Sequence, residues 1–293
     1  MTPRCPYCQS DTTDLHLKLK DYFLTQEDFE IYRCPHCELL FTWPRPEESE
    51  LGKYYKSDEY LSHNESKKGI MPFIYNRVKR VNISNKYKIA TQGTSGKRML
   101  DFGCGVGDFI LYAKQNGFDV CATDVTPTAR EAASKKLGMN LPSPEEVLSM
   151  PDGSFDIITM WHVLEHISHL KSQIFHLNRL LVNGGRLVLA LPDYLSYDAQ
   201  HYQDKWAAYD VPRHLNHFDS KSLQNIFAGT PLHLVSTAPL KWDAYYISML
   251  SEKYRGSSLA FAKGLIQGWK SNRAARKSGE YSSMVYIFEK QQV

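Results

Sequence analysis

Two short segments near the N-terminus alternate apolar with polar positions: Leu15-His16-Leu17-Lys18-Leu19 and Phe29-Glu30-Ile31-Tyr32-Arg33. A period of two places one apolar face on a pleated strand, so the pair predicts a hairpin. Pro44-Arg45-Pro46 ends that pattern. From about 72 to 90 the spacing becomes helical, with apolar Phe73, Ile74, Val78, Val81 and Ile89 beside basic Arg77, Lys79 and Arg80. Residues 91–96 have linker composition. Beyond Lys97, short apolar runs at 99–102, 119–123, 155–161, 187–192, 232–238 and 283–290 alternate with helical stretches such as 108–115. Strands covered on both faces read as continuous apolar runs, which predicts an α/β fold with a doubly wound, mostly parallel sheet. A mostly helical insertion, about 243–277, has an apolar start (Tyr245, Tyr246, Met249, Leu250) and a basic end (Lys263, Lys270, Arg273, Arg276, Lys277).

The chain divides on this basis into 1–45, a connector at 46–96 whose tyrosines (Tyr54, Tyr55, Tyr60) suit either packing or a lid, and a main domain at 97–293. With 42% hydrophobic residues the main domain buries a core without disulfides, and a net charge of +3 neither demands nor excludes an acidic partner. No run approaches the ~20 apolar residues of a membrane helix, and the start, Met1-Thr-Pro-Arg-Cys-Pro-Tyr-Cys8, is no signal peptide. A cytoplasmic location is expected. Cys104 and Cys121 stand alone in apolar segments, as small buried hydrophobes do.

The other four cysteines form Cys5-x-x-Cys8 and Cys34-x-x-Cys37, separated by the predicted hairpin. Each pair aims two thiolates at one point, and together they supply the sulfurs of a tetrahedral structural zinc site. A thioredoxin-like motif would need one pair in a βαβ context. Four sulfurs close the coordination sphere, so His36 is expected to be exposed and the metal to be non-catalytic. This zinc-ribbon module is read as a folding staple or as a grip on substrate or RNA.

The run Asp101-Phe-Gly103-Cys104-Gly105-Val-Gly107 lies between a strand and a helix, and the next strand ends in Asp124. Glycines there let a ligand approach the backbone, and an acid about 20 residues on is placed for ribose hydroxyls. A dinucleotide site would want Gly-x-Gly-x-x-Gly. The carboxylate of Asp101 instead suits a ligand with a cationic amino-acid end and repels a diphosphate.

These residues resemble motif I of the class I S-adenosylmethionine-dependent methyltransferases. So do Phe155-Asp-Ile-Ile-Thr-Met-Trp-His-Val-Leu-Glu-His166, with its Val-Leu-Glu-His run, and Asn183-Gly-Gly-Arg186 leading into Leu187–Pro192. The resemblance covers about 97–240 and the final strand. It implies a seven-stranded Rossmann-like sheet in the order 3-2-1-4-5-7-6, the seventh antiparallel. It also implies cofactor contacts from Asp101, Gly103, Cys104, Gly105 and Gly107, ribose contacts from Asp124, an adenine flank at Val125, and closure of the methionine side by Trp161 and His162. The segment is also similar to the ubiquinone-biosynthesis O-methyltransferases, whose acids and histidine here are linked to a divalent cation. This chain has His162 where they have an acid. The pattern His162-x-x-Glu165-His166 also matches inverted zinc peptidases, but the preceding strand and glycine turn account for it without a catalytic metal.

Methyl transfer from a sulfonium is an in-line displacement in which the protein aligns the nucleophile and takes its proton. Tyr209-Asp210-Val-Pro-Arg213-His214-Leu-Asn-His217-Phe218, preceded by Trp206, is read as a substrate wall, with His214 or His217 as the base and His166 as a further catalytic candidate. The loop resembles a set of bacterial zinc-ribbon methyltransferases. The reading is methyl transfer from S-adenosyl-L-methionine to a small or medium-sized metabolite. The alternatives are a zinc-ribbon RNA base methyltransferase and a non-catalytic binding protein of the same fold. The basic end of the insertion suits a solvated face, RNA, a phosphorylated substrate or peripheral contact with a membrane.

Overall fold

The two alternating segments fold into antiparallel strands β1 (Asp14–Lys20) and β2 (Asp28–Arg33). Asp21 holds the turn between them, its carboxylate accepting from the backbone N–H groups of Phe23, Leu24 and Thr25, a geometry that short acidic side chains favour. Strand β3 (Leu40–Trp43) adds to β2 and stops before Pro44, which has no N–H to continue a ladder. The far edge of β3 pairs with Asn216–His217, from much later in the chain. The expected boundary at residue 45 is therefore bridged: one four-stranded sheet draws on both parts of the chain.

The computed structural model describes residues 3–55 and 70–291, with side chains in the first long helix from Arg80 onward. The expected lid tyrosine Tyr60 and the apolar positions Phe73, Ile74 and Val78 lie outside the described residues and side chains. After a one-turn helix at Glu48–Leu51, that longer helix, α1 (Ile70–Thr91), leads into β4 (Arg98–Phe102), α2 (Asp108–Gln115), β5 (Asp119–Thr123), α3 (Pro127–Leu137), β6 (Phe155–Trp161), α4 (Leu170–Leu180) and β7 (Leu181–Pro192). The remainder runs β8 (Asn216–His217), α5 (Ser220–Phe227), β9 (Leu232–Pro239), α6 (Asp243–Tyr254), α7 (Ala260–Ser278) and β10 (Ser283–Lys290).

The main sheet has the order β5-β4-β6-β7-β10-β9, with β5, β4, β6 and β7 parallel and β10 antiparallel to both its neighbours. Successive residues of β4 serve opposite faces: Leu100 packs with Ile158, Leu187 and Leu189, and Met99 with Ile157, Val188 and Val285. Each fully buried side chain of this kind contributes about 1.5–3 kcal/mol, so the ends of the parallel strands are held rigidly where a site forms.

One expectation needs correction. Among the described residues the sheet has six strands and not seven, and β5 is its edge. The missing strand would lie after α3, where the chain reads Asn140-Leu141-Pro142-Ser143. Pro142 cannot donate to a ladder and its carbonyl accepts from Thr123 Oγ1, while Ser143 already caps the next helical turn, Pro144–Leu148. No residues remain for a strand.

Candidate active site

The glycine turn closes over the end of β4. Gly103 has φ of 82°, and a Cβ built on it would lie 2.3 Å from Val163 Cγ2, so only glycine fits. Gly105 has φ of 52° and nothing within 4 Å of such a Cβ, so its backbone faces open space. Its N–H donates to Asp124 Oδ2 at 2.9 Å, and Thr126 N–H donates to Asp124 Oδ1 at 2.9 Å. The carboxylate is thereby fixed at the mouth of the turn with lone pairs to spare for hydroxyl donors. The Val125 side chain beside it is 80% exposed and open to a flat ligand. Gly107 caps α2, and Cys104 is half-buried, its thiol pushed up chiefly by burial.

Asp101 is fully buried and accepts from Thr159 Oγ1 at 2.7 Å. Burial pushes its carboxyl up to about 7, and the nearby Lys86 ammonium pulls the other way. Lys86, from α1, lies over the Trp161 ring at 4.8 Å, and burial lowers its pKa against the pull of Asp243 and Asp101. Trp161 Nε1 is buried without a partner among the described residues. An anion, a cation and an orphaned donor converge beside open glycine backbone. Those features fit the methionine end of S-adenosylmethionine, which carries a carboxylate and an ammonium. Lys86 was not singled out from sequence: one lysine in a polar helix carries no signal.

Immediately after Trp161 the chemistry changes. His162 has φ of 59°, uncommon for a non-glycine residue. Its Nε2 lies 3.0 Å from Asp243 Oδ2 at the start of α6, and its Nδ1 3.5 Å from Glu165 Oε1. Burial opposes the charged ring, but the two carboxylates win and raise it to about 9, so His162 is an imidazolium at neutral pH. It does not share a helical face with His166, because only a short turn, Leu164–His166, follows. The inverted-peptidase geometry is absent here.

Glu165 is buried with neither oxygen in a hydrogen bond among the described residues. One ligand atom each from Glu165, His166 and His214 lies within 4.8 Å of the others. His166 Nδ1 is 2.9 Å from the Arg213 carbonyl, and His214 Nδ1 is 2.8 Å from the Ala208 carbonyl. A carbonyl only accepts, so both Nδ1 atoms carry the proton and both Nε2 atoms keep a lone pair. Burial and the neighbouring His214 depress His166 to about 4. Each imidazole thus keeps one acceptor nitrogen, and together with the Glu165 carboxylate, which also faces His162, the group can hold a cation or a hydroxyl or amine donor. Tyr55 Oη lies 3.1 Å from His166 Nδ1. His217 lines a small cavity with Glu165 and His214, but its Nε2 is 3.0 Å from Thr42 Oγ1. Thr42 spends its one proton on the His214 carbonyl, so His217 is the donor in that pair. Burial holds the ring well below its usual range.

The expected substrate wall lies largely in the interior. Arg213, Trp206 and Tyr209 are buried. The Arg213 guanidinium, 1% exposed, pairs with Asp21 at 2.8 Å and with Asp210 at 2.7 Å. Arg213 and Tyr209 pack against the N-terminal sheet, while Trp206, His214 and His217 line the cavity together with Glu165. Cys5, Cys8, Cys34 and Cys37 do converge, with Sγ pairs 3.6 Å (Cys5–Cys37) and 3.5 Å (Cys8–Cys34) apart. Tetrahedral Zn–S bonds put sulfurs ~3.8 Å apart, so the cluster fits zinc, and His36 is exposed. No helix among the described residues is long and apolar enough to cross a membrane.

The solved structures it is similar to include magnesium protoporphyrin IX methyltransferase from Synechocystis, determined with S-adenosylhomocysteine bound. That likeness has a TM-score of 0.53 at 13% identity and covers 84% of this chain and all of that one. A [4+2]-cyclase, SpnF, gives 0.54 at 15% identity, covering 85% of this chain and 99% of the other, so such likenesses bear on fold alone. In sequence the chain is similar to the mitochondrial ubiquinone biosynthesis O-methyltransferase of Schizosaccharomyces pombe, 34% identical over 105 residues, which are 33% of this chain and 38% of the relative. It is also similar to the malonyl-[acyl-carrier protein] O-methyltransferase of Serratia marcescens, 29% identical over 125 residues, 42% of this chain and 48% of the relative. The match spans less than half the length of either. A family model described as a methyltransferase domain matches residues 75–237, more than half of the chain, including the glycine turn, Asp124, Trp161 and His214. The protein belongs to the class I S-adenosylmethionine-dependent methyltransferase family.

Proposed function

We propose that the chain transfers a methyl group from S-adenosylmethionine to a hydroxyl or amine of a small molecule. In this reading Asp124 takes the ribose hydroxyls, Val125 underlies the adenine, and Asp101 and Lys86 bind the ammonium and carboxylate of the methionine end. Gly103 and Gly105 keep the backbone clear for the sulfonium. One observation carries the acceptor side: Glu165, His166 and His214 each bring a ligand atom within 4.8 Å of the others, beyond the end of β6. A nucleophile that still holds its proton satisfies that cluster, and His214, its Nδ1–H anchored on Ala208, takes the proton as the methyl group arrives. His166 is held neutral and serves as an acceptor and not as the base. The four cysteines hold zinc remote from this chemistry.

The matched relatives are named for O-methylation, and their names favour small acceptors over RNA. The test is calorimetric binding of S-adenosylhomocysteine, followed by a screen of metabolite extract with methyl-labelled cofactor. Asp124→Ala should weaken binding about tenfold or more, since hydrogen bonds to a charged group contribute about 1.5–3 kcal/mol each. His214→Ala should leave binding intact and remove label transfer. Unchanged affinity in Asp124→Ala removes the cofactor assignment, and full transfer by His214→Ala removes the base.

A further inference from the structure

Helix α7 is packed inside out. The side it buries consists of Gly264, Gln267, Gly268, Ser271 and Ala275. A Cβ on Gly264 would lie 2.5 Å from Met249 Cα, and one on Gly268 2.7 Å from Tyr245 Cα, so α6 and α7 touch backbone to backbone across a seam of small residues. The side turned to solvent is the apolar one. Phe261 is 60% exposed, Ile266 56% and Trp269 54%, and Leu259 and Leu265 are exposed with them. At 100° per residue Phe261, Leu265, Ile266 and Trp269 fall within one 140° arc, opposite the glycine seam. A soluble helix that only covers a core shows the reverse arrangement.

The charge of the hairpin narrows what covers this face. Residues 253–279 contain seven lysines and arginines and no acid. Lys263, Lys270, Arg273 and Lys277 lie along the flank and the C-terminal continuation of the apolar arc, all exposed. A second copy of the chain would bring two such basic surfaces together and pay like-charge repulsion. A surface of anionic headgroups over acyl chains answers both features: apolar side chains enter the boundary, and the ammonium and guanidinium groups pair with phosphates.

We propose that the α6–α7 hairpin lies on an anionic lipid bilayer, with Phe261, Ile266 and Trp269 inserted and Lys270, Arg273 and Lys277 at headgroup level. The hairpin starts at the candidate site, because Asp243, the first residue of α6, pairs with His162. Docking would then present the acceptor cavity to amphiphilic molecules held in the bilayer; that corollary alone rests on the methyl-transfer reading.

The test is co-sedimentation of the full chain with phosphatidylglycerol–phosphatidylcholine vesicles and with pure phosphatidylcholine vesicles. Sedimentation velocity without lipid runs alongside. Binding to the anionic vesicles is expected, at least tenfold weaker to phosphatidylcholine and weakened by salt. Ile266→Asp with Trp269→Asp should abolish it. Lys270→Glu with Arg273→Glu should lower it tenfold or more, with melting temperatures unchanged because all four side chains are exposed. Absence of vesicle binding overturns the proposal, as does binding that survives both double variants. A concentration-dependent dimer dissolved by Ile266→Asp assigns the face to a second copy and overturns it too. S-adenosylhomocysteine binding is read separately, so loss of the membrane result leaves the cofactor assignment standing.

Discussion

Lowering the pH from 7 to 6 should weaken S-adenosylhomocysteine binding about fivefold, and Asp101 is the reason. The carboxyl sits in the wall of the crevice, raised to about 7 by burial. Its raised pKa means that the protonated form gains as pH falls. A ligand ammonium needs the ionised form, so binding releases a proton and affinity drops toward acid. The ionised fraction goes from roughly one half at pH 7 to one tenth at pH 6, and apparent affinity scales with that fraction, a change of ~1 kcal/mol. The ligand's own amine, with an ordinary α-amino value of about 7.7–8.0, changes little over that interval. Calorimetry at the two pH values, in buffers of different ionisation enthalpy, reads both the affinity and the proton released. Asp101→Asn keeps the shape, removes the charge and should flatten the profile while weakening binding at pH 7. Affinity that stays level or rises from pH 7 to 6, or a slope that survives Asp101→Asn, refutes the placement of the ammonium beside this carboxyl.

Chelation of metal should deprotect the amides of 14–43 to hydrogen exchange and, through the β3–β8 pairing and Thr42, those of 214–217 as well. Continued protection of 214–217 after metal loss would separate the two parts. Arg213→Met leaves Asp21 and Asp210 without their guanidinium and should lower stability by about 3–5 kcal/mol, read as a denaturant midpoint; a change under 1 kcal/mol would show that water replaces the pair. Gly103→Ala places a methyl group against Val163 at a positive φ and should cost about 1–3 kcal/mol, with wild-type melting as the contrary result.

The parallel sheet was legible because its signal is local. Continuous apolar runs at 99–102, 119–123 and 283–290 became β4, β5 and β10 within one residue, and glycines with an acid about 20 residues on are a contiguous pattern. The four cysteines were legible for the same reason. What escaped depends on distance in sequence. Asn216–His217 is too short to show a period and becomes a strand only because β3 offers it an edge. Lys86, Asp243 and Asp21 act through partners 15 to 192 residues away, and no spacing announces such pairs. The absent third strand was a family expectation that the residues Asn140-Leu-Pro-Ser143 cannot honour. The basic loop is mixed: Arg213 belongs to a buried ion-pair network while Trp206, His214 and His217 line a cavity, and composition alone does not separate the two.

The buried network also bears on what the N-terminal module is for. A module that only gripped an acceptor would meet the main domain through a mobile, largely polar boundary. Here the contact is continuous sheet, and several anchors of the His214 segment come from it or from the residues just after it. Thr42 donates to the His214 carbonyl, Thr42 N–H donates to Leu215, Arg45 donates to Leu215 and to Asn216, and Arg213 donates to the Tyr54 carbonyl as well as to Asp21. On the other side Leu215 N–H donates to the carbonyl of Glu165. The orientation of His214 relative to Glu165 is therefore set between a strand that the cysteine cluster holds in place and the turn that follows β6. Folding of the module and geometry of the Glu165–His214 cluster are one energetic unit, which explains why a small sheet carrying four clustered cysteines sits beside a cofactor domain large enough to fold around its own core.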